Sequence, residues 1–313
     1  MEHILDLSRT FARETVWPRF ERAFPQAAGR AAMGLVGNGS ECFGYDDEQS
    51  RDHDCGVDVC LWLAEEDRHL IPEVEALRLD ALATLPAELR RSPSAYGAAP
   101  RTMTVGDFYR MHVGFPEGPS TLDEWRSVPE YLLALAVNGE VFHDAAGTFT
   151  RTRERLLDYV PEDLRLKRLA ARCMQIAQTG QYNLGRMAAR GDWACVRDTA
   201  QRFTGAAVHI VYLLNRVYRP YYKWRYRRLL ELPMGGMEMH GFALQLAQAP
   251  LACPEDAARL QQTVDGACVL LDRLLRDAGL AAPEDTFFTA HAEEIHARIR
   301  DPQLRALPIE YLV

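Results

Sequence analysis

The chain has 313 residues, 48% of them hydrophobic and 26% charged, which is ordinary for a soluble globular protein and enough for two modest domains or one large one. Its formal net charge of −8 argues against a protein whose whole surface binds nucleic acid, although a local basic groove is compatible with it. Apolar runs stay well short of the ~20 residues that a membrane-spanning helix needs, so we expect no membrane segment.

The sequence begins Met-Glu-His-Ile-Leu-Asp, without the basic and apolar regions of a signal peptide. The seven cysteines form no C-x-x-C pair, which favours buried free thiols in a reduced, cytoplasmic protein. Cys55 and Cys60 with His53 match no common zinc spacing, so a zinc site is not favoured.

The first elements are a helix and two strands. Helical spacing of apolar residues predicts an amphipathic helix over 3–24, ending at or just after Pro18 and packed on a sheet. An apolar run predicts a buried strand over 33–36, and a run rich in strand formers predicts a second strand over 57–63. The segment between these strands carries the chemistry-bearing residues.

Two carboxylates, Asp52 and Asp54, lie just ahead of the second strand. Residues two apart in an extended chain face the same side, and two carboxylates on one face are costly unless a cation lies between them. Mg²⁺ prefers oxygen ligands, commonly one or two carboxylates plus substrate phosphates. A Gly-Ser turn at Gly39 and Ser40 supplies close backbone approach and a hydroxyl for phosphate oxygens. Together these features predict nucleotide chemistry.

Gly39-Ser40, followed after eleven residues by Asp52-His53-Asp54, resembles the Gly-Ser … Asp-x-Asp signature of the polymerase-beta-like nucleotidyltransferase superfamily. The fuller sequence from Gly37 to Asp54 resembles the DUF4037 branch of uncharacterised proteins. Later segments are similar to that branch too, so the resemblance covers roughly residues 5–230; these segments are Val141-Phe142-His143-Asp144, Gln181-Tyr182-Asn183, Arg190-Gly191-Asp192 and Tyr222-Lys223-Trp224.

The resemblance implies a Mg²⁺-dependent enzyme that transfers a nucleotidyl group from an NTP, with ATP favoured, to a hydroxyl acceptor. Asp52 and Asp54 would bind Mg²⁺, and Gly39 and Ser40 would hold the β- and γ-phosphates. The superfamily commonly has a third acid, for which Asp58 is the first candidate because it shares the parity of the other two. A β-bulge at Gly56 would change the side of the strand to which Asp58 points. Asp80 and Asp107 are the next candidates.

Three alternatives remain open from the sequence. The first is a catalytically degenerate module of the same fold that binds or senses nucleotides, favoured by the unassigned third acid. The second is an RNA-acting nucleotidyltransferase, and the third is an antibiotic-modifying enzyme.

The rest of the first 150 residues alternates helices and short strands. The pattern predicts helices over 66–91, 107–111 and 120–138, with a new start at Pro129, and strands over 101–105 and 140–144. A turn is expected at Asn138-Gly139. His143 and Asp144 either reach the site or cap the end of the strand.

From about residue 150 onward only helical stripes appear. We therefore predict an α+β protein: a small mixed-sheet nucleotidyltransferase domain over 1–150, and an all-helical domain over 151–313 that closes the nucleotide cleft.

The segment 216–228 holds six positive charges among five aromatic residues. One interpretation is a wall of the nucleotide cleft, in which Lys223 offsets phosphate charge and Tyr222 stacks on a base. Arg186, with Asn183 and Arg190, lies on a segment that we expect to face the same cleft. The alternatives are a groove for RNA and a solvated helix face whose aromatic rings pack inward.

Overall fold

The computed structural model of the protein describes residues 3–49, 55–91, 99–281 and 285–311. The chain divides into two compact units, Met1–Asp158 and Tyr159–Val313. The roles predicted for the two parts, a catalytic domain and a cleft-closing domain, stay predictions.

The N-terminal segment of the first unit is helical nearly throughout. Helix α1 (Ile4–Phe11) passes through a π-helical turn (Ala12–Val16) into α2 (Trp17–Ala23), and a short α3 (Pro25–Ala28) follows. The helix continues past Pro18, because this proline lies in the first turn of α2, where the missing N–H costs little.

Four short strands form one mixed sheet in the order β3-β2-β1-β4. Strands β2 and β4 run antiparallel to β1, whereas β3 runs parallel to β2. The bounds of the strands are Ala32–Leu35 for β1, Cys60–Leu63 for β2, Thr102–Thr104 for β3 and Glu140–His143 for β4. The predicted mixed sheet is confirmed; β1 has the predicted length but begins one residue earlier, and β2, β3 and β4 are shorter than predicted.

The strand directions bring four strand ends to one edge of the sheet. Gly34 of β1 pairs with Cys60 of β2, and Leu35 pairs with Glu140 of β4. The carboxyl end of β1 therefore lies beside the starts of β2, β3 and β4. We call this the Gly-Ser edge, since Gly39 and Ser40 follow β1 there.

Both faces of the sheet are covered. Met33 and Leu61 pack on one side in a core with Phe11, Val16 and Phe20 of the N-terminal helices. On the other side the indole of Trp62 stacks on the ring of Phe149, with 3.8 Å between centroids. Burial of both faces explains why β1 and β2 read as continuous apolar runs rather than as alternating strands.

The described residues of the first unit form five further helices: α4 (Ile71–Leu82), α5 (Val105–Val113), α6 (Leu122–Ser127), α7 (Glu130–Val137) and α8 (Thr150–Leu157). The helix predicted over 66–91 is shorter, with a 3-10 segment (Glu65–Leu70) ahead of it and another (Ala87–Leu89) after it. Pro129 is the N-cap of α7, close to the predicted new start.

Within its described residues the second unit contains helices and turns but no strand. Its α-helices are α9 (Glu162–Ile176), α10 (Leu184–Ala189), α11 (Trp193–Asn215), α12 (Arg225–Leu229), α13 (Gly236–Gln248), α14 (Pro254–Asp277), α15 (Phe288–Ala297) and α16 (Pro302–Ala306). The predicted α+β class, a small mixed sheet followed by an all-helical part, is confirmed. Among the residues described, no helix is both long and apolar enough to cross a membrane.

Candidate functional site at the Gly-Ser edge

The turn after β1 is tightly folded. Gly39 has a φ of +130°, which favours glycine, and Ser40 opens a 3-10 helix (Glu41–Phe43). The Ser40 carbonyl accepts the N–H groups of Phe43 and Tyr45 at 3.0 and 2.9 Å. Gly39 and Ser40 are therefore held in one backbone conformation beside the end of β1.

The two residues before β4 are hydrogen-bonded to this turn. The Asn138 side chain exchanges two hydrogen bonds of 2.8 Å with the backbone of Gly37. The Gly139 N–H donates to the Cys42 carbonyl at 2.7 Å, and a Cβ at residue 139 would collide with the Leu35 carbonyl. The Asn138-Gly139 turn therefore also holds the Gly-Ser turn in place through these hydrogen bonds.

Asp46, in the acidic loop that follows, is buried and caps helix α1. Its carboxylate accepts the backbone N–H of Ile4 at 2.9 Å and lies 3.1 Å from the His3 ring nitrogen. A carboxylate at a helix N-terminus satisfies an otherwise unpaired donor and complements the helix dipole. The acidic loop is therefore anchored to α1 at this point, whereas its neighbours Asp47 and Glu48 are exposed.

Replacing Asp46 with Ala is expected to lower the free energy of unfolding by about 1 kcal/mol, because α1 loses its cap. Urea denaturation measures this change. Glu48→Ala, at an exposed position in the same loop, is the matched control and is expected to stay near wild type. An Asp46→Ala variant as stable as Glu48→Ala would contradict the capping role.

The predicted metal carboxylates, Asp52 and Asp54, lie outside the described residues. The chain re-enters the described structure at Cys55, and the Val57 N–H donates to the Leu89 carbonyl at 2.8 Å. A Cβ at Gly56 would collide with the backbone of Arg91. The segment leading into β2 is therefore fixed at the same edge of the sheet as the Gly-Ser turn.

Asp58, the first candidate for a third acid, is buried and ion-paired. Its carboxylate pairs with the Arg78 guanidinium and lies 3.6 Å from Nε of Arg101. It also accepts the N–H of Val59 at 2.8 Å, while the Asp58 N–H donates to Ser8 Oγ at 3.3 Å. Asp58 thus lies at the Gly-Ser edge, and its charge is matched by two arginines.

The other two candidate acids lie elsewhere. Asp107 forms ion pairs with Arg68 at 2.6 Å and Arg110 at 2.8 Å, and its hydrogen bond with Arg68 is the main cause that lowers the pKa of this carboxyl. Asp80 is exposed on α4 and lines an open groove with Arg19 and neighbouring apolar residues. Because Asp80 is two residues from Arg78, it lies on the opposite side of that helix.

Sequence reasoning missed a buried acid beside the Gly-Ser turn and the two arginines that face it. Glu41, directly after Ser40, lies 2.8 Å from Nη1 of Arg91 and 4.0 Å from Nη2 of Arg101. Arg101 therefore contacts Glu41 on one side and Asp58 on the other. The signal in the sequence was the acid that follows Gly-Ser, but its partners are fifty and sixty residues away.

Within the described ranges, no group of three or more His, Cys, Asp or Glu side chains is arranged to hold a metal ion. Glu41 and Asp58 already pair with arginines, and Asp46 caps α1. Asp52 and Asp54, the predicted Mg²⁺ ligands, lie outside these ranges, and their role stays a prediction.

His112 of α5 lies behind the turn, against Gly37 and the ring of Phe108. Burial, with a smaller contribution from the nearby Arg101 charge, lowers the pKa of His112 from 6.5 to about 4. The imidazole is thus neutral at neutral pH. Since the unfolded chain takes up this proton below about pH 6.5 and the folded chain does not, the group destabilises the fold as the pH falls toward 4.

We expect the free energy of unfolding of the wild type to fall more steeply between pH 6.5 and 4 than that of His112→Phe, by up to roughly 1.4 kcal/mol per pH unit. Denaturant titrations across this range measure the difference between the two proteins. His69→Phe, at an exposed position, is the control. Equal slopes for the wild type and His112→Phe would show that this histidine is not the cause.

His143 and Asp144 lie at the end of β4, where Asp144 has a capping role and His143 packs on an aromatic ring. Because β4 runs antiparallel to β1, His143 pairs with Met33 at the edge opposite the Gly-Ser turn, and its ring stacks on Trp17. The Asp144 carboxylate accepts backbone N–H groups of residues 148–150 at 2.7 to 3.0 Å, which caps the start of α8.

The remaining predicted binding residues belong to the second unit. Tyr222 is 65% exposed, and Nζ of Lys223 lies 5.0 Å from the centroid of the Trp224 ring. Arg186 lies over the Tyr182 ring and donates to its hydroxyl at 2.5 Å. Segment 216–228 is an irregular stretch followed by a 3-10 turn (Tyr222–Trp224) and the start of α12, not one continuous helix. Its part in a nucleotide cleft stays a prediction.

Comparison with known proteins matches residues 125–225 to a family model described as Domain of unknown function (DUF4037). No curated protein and no solved structure matches the chain. The matched region runs from α6 through α11 to Arg225, so it includes Arg186, Tyr222 and Lys223 but not the Gly-Ser turn. Over residues 125–225 the chain is thus similar to the DUF4037 family.

Proposed function

We propose that the protein is a Mg²⁺-dependent nucleotidyltransferase that uses an NTP, with ATP favoured, and a hydroxyl acceptor. The observation that carries the proposal is the antiparallel pair of β1 and β2, which brings the Gly39-Ser40 turn and the segment entering β2 to one edge of the sheet. The resemblance of the Gly-Ser … Asp-x-Asp spacing to the polymerase-beta-like nucleotidyltransferase superfamily supports the same reaction.

In the proposed reaction the acceptor oxygen bonds to the α-phosphorus of the NTP, the bond to the β-phosphate breaks, and pyrophosphate leaves with the β- and γ-phosphates. The Ser40 hydroxyl and the turn backbone would hold those phosphates. Asp52 and Asp54 would hold Mg²⁺, which supplies positive charge to the phosphate oxygens as negative charge moves to the leaving group. The acceptor proton would pass to a base that the sequence leaves unassigned.

One observation favours a second candidate, a module that binds nucleotides without catalysing transfer. Asp58 and Asp107 are both engaged by arginines, and Asp80 lies on the far side of α4 from Arg78. Asp58 or Asp107 would have to leave its ion pairs before it could serve as the third acid. Binding of an NTP without formation of pyrophosphate would support this candidate over the first.

A thermal-shift series tests the proposed ligand. ATP, GTP, CTP and UTP are each added with and without Mg²⁺, because a ligand that binds only the folded state raises its stability by mass action. We expect a Mg²⁺-dependent rise in melting temperature with at least one NTP, largest with ATP. The absence of a shift with all four would overturn both the transferase and the nucleotide-binding candidates.

A further inference from the structure

The Glu41 carboxylate lies directly on the Gly-Ser turn. The residue is 1% exposed, and its carboxylate contacts the open side of Gly39, where a Cβ would collide with both of its oxygens. Residue 39 must therefore be glycine for two reasons: its φ is +130°, and Glu41 occupies the space that a side chain would need. An acidic group thus fills the position that a phosphate oxygen would take when it approaches this backbone.

The hydrogen bonding of this carboxylate is incomplete. Arg91 donates to Oε1 at 2.8 Å and Arg101 is 4.0 Å from the same oxygen, whereas Oε2 has no hydrogen-bond partner. A buried acceptor without a partner costs about 1 to 3 kcal/mol, and more when it is charged. The arginines therefore hold Glu41 through one oxygen, and its displacement costs less than that of a fully hydrogen-bonded carboxylate.

Among the described residues, the charged side chains in the cluster around Glu41 balance while Glu41 is present. Glu75 pairs with Arg78 at 2.6 Å, and Arg78 also pairs with Asp58, which contacts Arg101. Three carboxylates thus face three guanidinium groups, all in the first unit. If the Glu41 carboxylate moved out, the group would carry one unmatched positive charge, held by Arg91 and Arg101 beside the Gly39-Ser40 backbone.

We propose that Arg91 and Arg101, together with the backbone of the Gly-Ser turn, form a polyphosphate-binding site, and that Glu41 occupies it as an internal anion until the phosphate chain displaces it. Guanidinium groups bind phosphate oxygens in bidentate fashion, and a triphosphate brings more charge and more acceptors than one carboxylate. The inference rests on the proposed function for the identity of the ligand, an NTP, but assigns residues that the sequence motif does not.

Calorimetric titration with inorganic tripolyphosphate in EDTA tests the site. Glu41→Gln removes the competing charge and is expected to bind at least about tenfold more tightly than the wild type, while Arg91→Met binds at least about tenfold more weakly. Glu65→Gln, which alters an exposed acid paired with Arg68, is the matched control and keeps wild-type affinity. Removal of a purely structural acid is not expected to tighten binding, so tighter binding by Glu41→Gln distinguishes the proposed role. Equal or weaker binding by this variant would overturn the proposal.

Two features keep the test decisive. Since no metal and no nucleoside are present, the result does not depend on Asp52, Asp54 or transfer activity. Loss of transfer activity with intact tripolyphosphate binding would count against the proposed function and not against this site. If Glu41→Gln does not fold, Arg91→Met alone decides, and unchanged affinity in that variant would overturn the proposal. Absence of tripolyphosphate binding by both the wild type and Glu41→Gln would also overturn it.

Discussion

Replacing Asp54 with Asn is expected to reduce Mg²⁺-dependent nucleotidyl transfer at least about 100-fold, with the same result for Asp52→Asn. Each variant loses one charged metal ligand, and each 1.4 kcal/mol of lost transition-state stabilisation slows the reaction tenfold. Pyrophosphate release from the NTP that gives the largest thermal shift measures the rate. The same variants are expected to lose the Mg²⁺-dependent part of that shift.

The fold should tolerate both substitutions, since the sheet and its core are formed by other residues. Far-ultraviolet circular dichroism and the melting temperature without ligand are therefore expected to match the wild type. Glu48→Gln, at an exposed position of the acidic loop, is the matched control for activity and is expected to stay at the wild-type rate. Full activity in Asp52→Asn or Asp54→Asn would show that the metal assignment is wrong.

Asp58→Ala is expected to lower the free energy of unfolding by about 3 to 5 kcal/mol, because it leaves the buried guanidinium groups of Arg78 and Arg101 with one carboxylate too few. Urea denaturation at neutral pH measures the loss. The effect on stability separates Asp58 from Asp52 and Asp54, for which we expect loss of activity with little loss of stability.

Asp107→Ala is the matched control for Asp58→Ala. Asp107 also pairs with two arginines, but Arg68 and Arg110 are substantially exposed. Such solvated pairs contribute about 1 kcal/mol or less. A double-mutant cycle of Asp58→Ala with Arg78→Ala should show a coupling energy that the corresponding cycle of Asp107 with Arg68 lacks. A loss below about 1 kcal/mol in Asp58→Ala would contradict the account of the buried cluster.

The elements that the sequence predicted correctly are those set by local pattern. The apolar runs around Met33 and Leu61 identified the central strands, and the Asn138-Gly139 signal identified the turn before β4. The change from mixed patterns to continuous helical stripes identified the α+β class. Pro18 misled as a stop signal because it falls in the first turn of a new helix after a π-helical turn.

Partners far apart in the sequence account for what could not be predicted. Asp46 caps a helix that begins more than forty residues earlier, and Asp58 pairs with Arg78 on a different helix. Periodicity reports which face of an element is buried but not which charges meet there. For the same reason the sequence pattern did not distinguish Glu41, which is buried against Gly39 and Arg91.

Following the label from NTPs carrying either α-³²P or γ-³²P tests the central claim most directly. The protein, Mg²⁺ and each NTP are incubated with small hydroxyl compounds and with RNA as separate classes of acceptor. We predict that the α-label moves to an acceptor while the γ-label appears in pyrophosphate, and that Asp54→Asn does neither. Transfer of the γ-label to the acceptor, or retention of both labels in all four NTPs, would contradict the proposed nucleotidyl transfer.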